Sequence, residues 1–231
     1  MPGEIILHGF WRSSCTWRVR TALALKKIPY TVKPVNLSSG EQFESPLLRL
    51  NPLAQVLRKY VPTLEIDGLI LAQSIPIIEY LEETRKNQGA ALLPKREDLR
   101  YKVRQISEAV NSGIQPMQNL SILNQVVKYT QEYGKINLDD TSVKKIKKYW
   151  ASECIEKGFN ALETILKESS GRFCVGDEVS MADCLLIPQV FNAATFKINI
   201  AKYPTIQKIN EHCLTLEAFQ ISHPDKQPDK A

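Results

Sequence analysis

The cluster Ser13-Ser14-Cys15 brings hydroxyl and thiol groups to the point where a predicted strand gives way to a predicted helix. An apolar run over 4–9 precedes the cluster, and apolar residues such as Val19 recur after it at helical spacing. Ser13 or Ser14 can cap this helix. Because the first turn of a helix carries unpaired N–H groups and the positive end of the dipole, it favours an anion. The sequence therefore predicts a site that stabilises a thiolate, either that of Cys15 or one carried by a ligand.

The composition is that of an ordinary globular protein. The chain has 231 residues, of which 43% are hydrophobic and 24% are charged, and this fits one large domain or two small ones. The net charge of +5 is modest, and the basic residues are scattered apart from a lysine run at 144–148 that is typical of a solvated helix face. No aromatic-rich binding motif accompanies that run, so we expect no nucleic-acid partner.

The cysteine and histidine patterns argue against a disulfide framework and against a metal site. The chain has five cysteines, an odd number, and no pair with C-x-x-C spacing, which favours a reducing compartment such as the cytoplasm. The three histidines are isolated, and no cysteine–histidine spacing suits zinc. No apolar signal segment opens the sequence and no apolar run approaches membrane-spanning length, so we expect no membrane partner.

The first 86 residues alternate strand and helix signals. Asp67-Gly68 separates two runs rich in β-forming residues, which is a hairpin signal, and Ser74 can cap the helix that follows. The order β-α-β and then β-β-α predicts a small mixed sheet covered by helices, a thioredoxin-like layout. The predicted elements are a strand over 4–8, a helix over 14–27, strands over 30–37, 61–66 and 69–71, and a helix over 74–84.

Beyond about residue 99 the strand signals disappear and helical stripes replace them. Leu99, Val103 and Ile106 begin one stripe, and another runs from 146 to 166. The pattern Ser180-Met181-Ala182-Asp183 fits a helix N-terminus with its acidic capping partner, and we interpret it as structural. The predicted organisation is a thioredoxin-like domain at 1–86, a linker at 87–94, an all-helical domain at 95–222 and a flexible tail at 223–231.

This layout, α/β followed by all-α, resembles the soluble glutathione transferases, a thioredoxin-like N-terminal domain followed by a helical C-terminal domain. Individual motifs resemble the zeta class, a family also known as the maleylacetoacetate isomerases. The motifs are long, lie in the order of the family and span nearly the whole chain. They are 13–20 (SSCTWRVR), 73–74 (QS), 79–85 (EYLEETR), 113–116 (GIQP), 174–183 (CVGDEVSMAD), 203–206 (YPTI) and 217–220 (EAFQ).

The resemblance implies that glutathione is the cofactor and that its sulfur lies at the helix start near Ser14. The Ser14 hydroxyl and the helix N–H groups would hydrogen-bond the thiolate and stabilise its charged form. The Ser13 hydroxyl is the alternative hydrogen-bond donor to the thiolate. Ser14 is also consistent with a role only as the helix N-cap. Cys15 is either a nucleophile in its own right or a small group beside the site.

Further glutathione-binding positions follow from the same resemblance. Pro62 is preceded by a cis peptide bond in the family, and such a bond would turn the Val61 backbone toward the ligand. Gln73 and Ser74 begin a helix whose N–H groups can hold the γ-glutamyl carboxylate. The remaining positions are Arg18, which we expect to act electrostatically together with Arg12, and Gln42, Gln115 and Asn119.

The implied chemistry is nucleophilic catalysis by a borrowed thiol. The glutathione thiolate adds to the cis double bond of a conjugated dicarboxylic acid, the bond rotates, and elimination leaves the trans isomer. The family example is the conversion of maleylacetoacetate to fumarylacetoacetate in tyrosine and phenylalanine catabolism. The same thiolate can conjugate or dehalogenate small electrophiles. The resemblance also implies a homodimer.

Two departures from the zeta pattern lie near the expected site. Residues 53–60 lengthen the segment between Asn51-Pro52 and Val61-Pro62, which costs little entropy but can change the shape of the site. Thr195 stands where the family has an arginine that grips a substrate carboxylate, and a hydroxyl cannot replace that bidentate contact. A further insertion at 129–143 is expected to be a surface elaboration.

Three functions therefore remain open. The first is a zeta-class isomerase with weaker transferase and dehalogenating activity. The second is a thiol–disulfide or dehydroascorbate reductase that uses Cys15. The third is a glutathione-binding protein or detoxifying transferase with little isomerase activity, because Thr195 replaces the arginine. Replacing Cys15 by Ala separates the first function from the second.

Overall fold

The computed structural model describes residues 4–35 and 61–230. The expected contact at Gln42 and the insertion at 53–60 lie outside these residues. Within them, a small mixed sheet with two helices is followed by helices, in the order that the sequence predicts.

The sheet contains four described strands in the order β2-β1-β3-β4. β1 runs parallel to β2 and antiparallel to β3, and β3 forms a hairpin with β4. The hairpin turn is the predicted Asp67-Gly68 pair, whose φ angles of 53° and 75° are the positive values that a two-residue turn of this kind needs. The strands are β1 (Ile6–Gly9), β2 (Thr31–Pro34), β3 (Thr63–Ile66) and β4 (Leu69–Ala72).

Two helices, α1 (Ser14–Leu25) and α2 (Ser74–Thr84), cover the sheet. Leu7 and Leu64 are neighbours across β1 and β3, have no exposed surface and share a core with Leu23 of α1. Because successive side chains of a strand point to opposite faces, one buried face of each strand is enough to hold both helices. The thioredoxin-like layout is thereby confirmed.

The junction between β1 and α1 is tight, and this tightness positions the thiol-containing cluster. A Cβ added to Gly9 would lie 2.3 Å from Cγ2 of Thr16, so a side chain at the end of the strand would collide with the first turn of the helix. The chain therefore turns at once and places Ser13, Ser14 and Cys15 at the N-terminus of α1.

Beyond Ala72 the described residues form no further strand. The helices of this half are α3 (Glu97–Glu108), α4 (Leu120–Gly134), α5 (Asp140–Ser169), α6 (Met181–Thr195), α7 (Pro204–Cys213) and α8 (Glu217–Ser222). Short turns lie between or after them: a π-helical segment at Ala109–Ile114 and 3₁₀ turns at Pro116–Gln118, Ile200–Lys202 and Pro224–Lys226.

Helix α6 is buried along most of its length and begins at the predicted cap. The Asp183 carboxylate accepts hydrogen bonds from the backbone N–H and the hydroxyl of Ser180, at 2.8 and 2.9 Å, and from the backbone N–H of Cys174 at 2.8 Å. Complete burial raises the pKa of Asp183, and these three donors compensate the buried carboxylate. The interpretation of this motif as structural is confirmed.

The two halves share one continuous hydrophobic core. The segment between them is held against α1, because a Cβ on Gly89 would lie 2.3 Å from the Leu25 carbonyl oxygen and the Ala90 N–H donates to that oxygen at 3.0 Å. Leu92 is fully buried. The expected linker at 87–94 is therefore a packed connection.

The C-terminal segment differs from the expectation of a flexible tail. Gln227 is buried, and its side-chain amide donates to the carbonyls of Ile221 and His223 at 3.0 Å each. The Asp229 carboxylate accepts from the backbone N–H of Trp11 at 2.8 Å. The polar composition suggested a free end, but these polar groups bond back to α8 and to the β1–α1 loop.

Surface features are simple in the described residues. No helix there is both long and apolar enough to cross a membrane. All five cysteines are free. The insertion at 129–143 spans the end of α4 and the start of α5, where Tyr129 and Tyr133 are exposed.

Candidate active site

A cavity of about 410 Å³ opens between the start of α1 and the helical half. One wall comes from the β1–α1 loop and the start of β3, and the other comes from the turns around Gln115 and from the end of α6. The lining residues are Phe10, Arg12, Ser13, Ser14, Cys15, Val61, Gln115, Gln118, Asn119, Leu120, Leu123, Asn192, Thr195 and Phe196. Six of the residues predicted from the sequence to bind glutathione therefore meet here: Ser13, Ser14, Cys15, Val61, Gln115 and Asn119.

Ser13 and Ser14 have different roles at the N-terminus of α1. Ser13 is the N-cap, and its hydroxyl oxygen accepts the backbone N–H of Thr16 at 3.2 Å. Ser14 is the first helical residue and is 7% exposed. Among the described residues no side-chain hydrogen bond engages the Ser14 hydroxyl, so this hydroxyl can donate to an anion in the cavity. Cys15 is half-buried beside it.

The peptide bond between Val61 and Pro62 is cis, as the resemblance implies. Val61 lines the cavity next to the α1 start, and β3 begins two residues later. The backbone of Val61 therefore lies beside the hydroxyl and thiol cluster.

The start of α2 is a second anion-favouring turn. Gln73, the N-cap residue, has φ +73°, a backbone conformation that L side chains rarely adopt. Such outliers cluster at functional sites, where the surrounding structure holds them. Ser74 is almost fully buried, and its hydroxyl accepts from Arg18 at 3.2 Å. Neither Gln73 nor Ser74 lines the cavity itself.

Arg18 lies one turn after Ser14 on α1 and is completely buried. Its Nη1 donates to the Ser74 hydroxyl and, at 2.8 Å, to Oδ1 of Asn111 in the π-helical segment. It does not line the cavity. Its guanidinium instead connects the turn that begins α2 with the helical half.

The helical wall contains polar and apolar side chains, and its polar side chains carry no charge. Gln115 and Asn119 flank the 3₁₀ turn that follows the π-helical segment, and π-helical turns are frequent at functional sites. Thr195 ends α6 and is exposed to the cavity. Arg12, on the opposite wall, is the one cationic side chain that lines the cavity within residues 4–35 and 61–230.

Sequence reasoning missed two polar residues of this wall. Asn192 lies three residues before Thr195 on α6, so both side chains occupy one helix face, and that spacing is a signal that could have found it. Gln118 donates from Nε2 to Oε1 of Gln189 at 2.6 Å. Nothing in the sequence distinguishes Gln118 from the other glutamine and asparagine residues.

Cys174, Cys184 and Cys213 are buried and do not line the cavity. Complete burial raises the pKa of the Cys174 and Cys184 thiols well above the ordinary range. Burial also raises the pKa of the Cys213 thiol. These thiols remain protonated at neutral pH and behave as small core groups.

The two walls together define what the site can do chemically. The α1 start can stabilise an anion, above all a thiolate, and the helical wall can hold a polar substrate.

Two protein-family models match the chain. The model described as "Glutathione S-transferase, N-terminal domain" covers residues 12–84, and the one described as "Glutathione S-transferase, C-terminal domain" covers residues 129–218. The first includes the α1 cluster and the start of α2, and the second includes Thr195.

Full-length relatives agree with these matches. The chain is 49% identical to a maleylacetoacetate isomerase from Mus musculus over 229 residues, which is 98% of this chain and 95% of that one. It resembles the crystal structures of a maleylacetoacetate isomerase from Anaeromyxobacter dehalogenans 2CP-1, one with bound GSH and one with dicarboxyethyl glutathione and citrate in the active site. Each has a TM-score of 0.82 and 38% identity, over 99% of this chain and 98% of that chain. A maleyl pyruvate isomerase, a bacterial glutathione S-transferase of the zeta class, gives a TM-score of 0.85 at 34% identity, over 98% of this chain and 100% of that one.

Proposed function

We infer that this chain, which belongs to the zeta class of the glutathione S-transferase family, is an enzyme that uses glutathione for the cis–trans isomerisation of a small unsaturated acid of the maleylacetoacetate type. Conjugation or dehalogenation of small electrophiles would use the same site. The observation that carries the proposal is the Ser14 hydroxyl, nearly buried, unengaged by the described side chains and aimed at the cavity from the first turn of α1.

The residues present fit glutathione. The α1 start offers the hydroxyl of Ser14 and helix N–H groups to a thiolate. Val61 lies beside them on a cis bond to Pro62. The start of α2, with Gln73 and Ser74, offers a second set of N–H groups for the γ-glutamyl carboxylate.

When bound, glutathione supplies the thiolate that adds to the double bond and leaves after rotation. The chain contributes the rest. Ser14 donates a hydrogen bond that favours the thiolate over the thiol. Ser13 holds the helix start in place by capping it. From the helical wall, Gln115 and Asn119 present amides to glutathione, and Asn192 presents one to the substrate.

Thr195 limits which substrates bind well. A Thr hydroxyl cannot form the paired, charge-assisted contact that a guanidinium makes with a carboxylate. Arg12 is exposed at the cavity and is available for one substrate carboxylate. We therefore expect weaker use of dicarboxylic substrates than in zeta relatives that carry arginine at this position.

A reductase that uses Cys15 is the second candidate, because Cys15 is half-buried at the same helix start and lines the cavity. It differs from the first in its nucleophile. Isomerisation needs only the thiolate of glutathione, whereas reduction would form and break a disulfide at Cys15.

We further propose a homodimer in the cytoplasm. Leu69 and Ile70 are exposed on β4 at the edge of the sheet, where unpaired apolar surface favours a partner chain. The five free cysteines suit a reducing compartment. Sedimentation analysis of the native chain and of Ile70→Lys tests the dimer, and a wild-type monomer would contradict it.

The activity is tested with maleylacetone, a stable analogue of maleylacetoacetate, in the presence and absence of glutathione. We expect isomerisation that depends on glutathione without consuming it, and we expect Cys15→Ala to retain it. Wild-type protein that reduces dehydroascorbate but does not isomerise maleylacetone, with that reduction lost in Cys15→Ala, would support the reductase instead. Failure to bind glutathione would reject both.

A further inference from the structure

A second cavity, of about 280 Å³, lies on another face of α6 from the candidate active site. Asn192 and Thr195 of α6 line the active-site cavity. Other residues of α6 line the second cavity, which we call the rear cavity, and no described residue lines both. Helices α1, α6 and α7 and the C-terminal segment form the rear cavity, through residues that include Trp17, Phe191, Ala194, Asn210, Leu214 and His223.

Three aromatic rings give the rear cavity a preformed wall. Trp17 packs edge-on against Phe191 with 5.5 Å between the ring centroids and against His223 with 5.0 Å. The indole Nε1 of Trp17 donates to the Ser222 hydroxyl at 3.0 Å, which fixes the indole ring. Because natural interiors leave few voids larger than a water molecule, a ring-lined cavity of this size is typical of a ligand pocket. Ala194 is exposed and lines the cavity, which gives an entrance from solvent.

Two polar side chains, those of Asn210 and His223, line a cavity whose other described residues are apolar or aromatic. Nδ1 of His223 accepts the backbone N–H of Asp225 at 3.2 Å, so the proton of the neutral ring is on Nε2. Burial lowers the pKa of His223, and the ring is therefore neutral at pH 7. The imidazole thus has a Nε2–H group to donate, and no charged side chain of residues 4–35 and 61–230 lines the cavity.

We propose that the rear cavity binds a small uncharged aromatic molecule that carries an oxygen acceptor, such as a phenol with two fused rings. A dry apolar cavity of about 150 Å³ is enough for one benzene molecule, so the rear cavity has room for a second ring. Aromatic walls favour an aromatic ligand through edge-on and stacked contacts. An anion would lose its water there without gaining a cation, whereas a neutral oxygen can accept from Nε2 of His223.

The test measures binding of 2-naphthol to the wild-type chain at neutral pH, by isothermal titration calorimetry and by the shift of the melting temperature. We expect one molecule per chain and a melting temperature that rises with naphthol concentration, because a ligand of the folded state stabilises that state. 2-Naphthoate, which has the same rings and a negative charge, should show no binding that depends on the rear cavity. A wild type that does not bind 2-naphthol overturns the proposal.

Ala194→Trp shows whether the rear cavity is the place of binding. It puts an indole at the entrance and should weaken 2-naphthol binding about tenfold or more, since the cavity then no longer holds two rings. Ala161→Trp is the matched control, because Ala161 is an exposed alanine of α5 that does not line the cavity. The control should bind within about twofold of the wild type, as expected for a surface substitution. Equal affinities of Ala194→Trp and the wild type would mean that naphthol binds elsewhere, which overturns the proposal.

If Ala194→Trp does not fold, nuclear Overhauser effects in the wild-type complex decide the place of binding. Contacts of the naphthol ring with the indole protons of Trp17 and the methyl group of Ala194 would support the rear cavity. Binding without these contacts would overturn the proposal.

His223→Phe tests the assignment of the donor, because it keeps an aromatic ring and removes the Nε2–H group. It should weaken 2-naphthol binding about fivefold, the usual effect of losing one neutral hydrogen bond. Naphthalene, which has no oxygen, should lose less than about twofold. Equal losses for the two ligands would overturn the selection of an oxygen by His223. No measurement here involves glutathione or turnover, so failure of this inference and failure of the proposed function are distinguishable.

Discussion

The two walls of the cavity are built on different principles. One wall, formed by the β1–α1 loop, the start of α1 and Val61, is named here the thiol-binding wall after its proposed role. It stands on a strand–helix junction so tight that a Cβ added to Gly9 would collide with Thr16, and the groups proposed to bind the anion are the N-terminus of α1 and the hydroxyl of Ser14. The helical wall consists of a π-helical segment, a 3₁₀ turn and the C-terminal end of α6, and its polar groups are neutral. A wall that stabilises one fixed anion can be rigid. In a wall that receives the substrate, one substitution at the cavity surface, as at Thr195, can change the charge while the fold stays intact.

The largest expected effect is on the thiol-binding wall. Ser14→Ala should lower kcat by about tenfold to a hundredfold, because hydrogen bonds to charged groups contribute about 1.5–3 kcal/mol. The pKa of the glutathione thiol in the complex should rise, since the lost hydrogen bond favours the thiolate. Thiolate absorbance against pH and steady-state kinetics measure the two effects.

Ser13→Ala is the matched control for this prediction. Its hydroxyl accepts the Thr16 N–H as an N-cap, so its loss should cost about 1 kcal/mol of folding stability and move the thiol pKa less than Ser14→Ala does. If Ser13→Ala or Cys15→Ala shifts the thiol pKa and kcat while Ser14→Ala does not, the roles of the adjacent side chains are reversed.

The next effect is on the helical wall. Thr195→Arg should raise kcat/KM for maleylacetone by about tenfold, because it introduces a charge-assisted carboxylate contact. An uncharged electrophile such as chlorodinitrobenzene should respond little. Equal changes for both substrates would mean that position 195 does not discriminate charge. High wild-type turnover of maleylacetone would mean that another cation binds the substrate carboxylate. Arg12→Gln should then remove that turnover.

The sequence predicted the thiol-binding wall better than the helical wall, for physical reasons. Local chemistry determines the Asp67-Gly68 turn and the Ser180–Asp183 cap, and both form as expected. The cluster at 13–15 was visible because a helix start needs a cap. Asn192 was missed, because its three-residue spacing from Thr195 is the one signal that points to it and the sequence does not show which face of a buried helix meets the cavity.

The sequence also did not indicate which polar groups are buried. Arg18 and Arg20 both lie completely inside, although charged residues normally stay in water. The polar tail suggested mobility, yet Gln227 and Asp229 bond to α8 and to the loop before α1. The contact between Asp229 and Trp11 joins residues 218 positions apart in the sequence, and no local pattern indicates it.

The C-terminal tail holds the loop that precedes α1 in the thiol-binding wall, and we expect a substitution in the tail to have a smaller effect on activity. Asp229 holds the Trp11 N–H at 2.8 Å, and Arg20 donates to the Trp11 carbonyl at 3.0 Å; Trp11 stands between Phe10 and Arg12, which line the cavity. Asp229→Ala should lower kcat/KM about two- to fivefold through misplacement of this loop. Asp225→Ala, which removes a tail carboxylate that bonds Lys230 instead of the loop, is the control, and an identical response of the two variants would count against a role for the tail.

The smallest effect concerns His223, which packs between α1 and α6. Its ring packs edge-on against Trp17 of α1 and Phe191 of α6, with centroids 5.0 and 5.4 Å away. Burial lowers the pKa of His223 below its ordinary value of 6.5, although nearby Asp225 acts in the opposite direction. The unfolded chain therefore binds this proton at a higher pH than the folded chain does, and folding stability falls as the pH drops below about 6.5.

His223→Gln should remove that part of the pH dependence. The difference in unfolding free energy between wild type and variant, measured in urea from pH 8 to pH 5, cancels the contribution of the other titrating groups. We expect the wild type to lose more stability than the variant on acidification. Parallel curves would mean that the imidazole accepts its proton equally well in the folded and the unfolded chain, and that its packing between α1 and α6 is insensitive to charge.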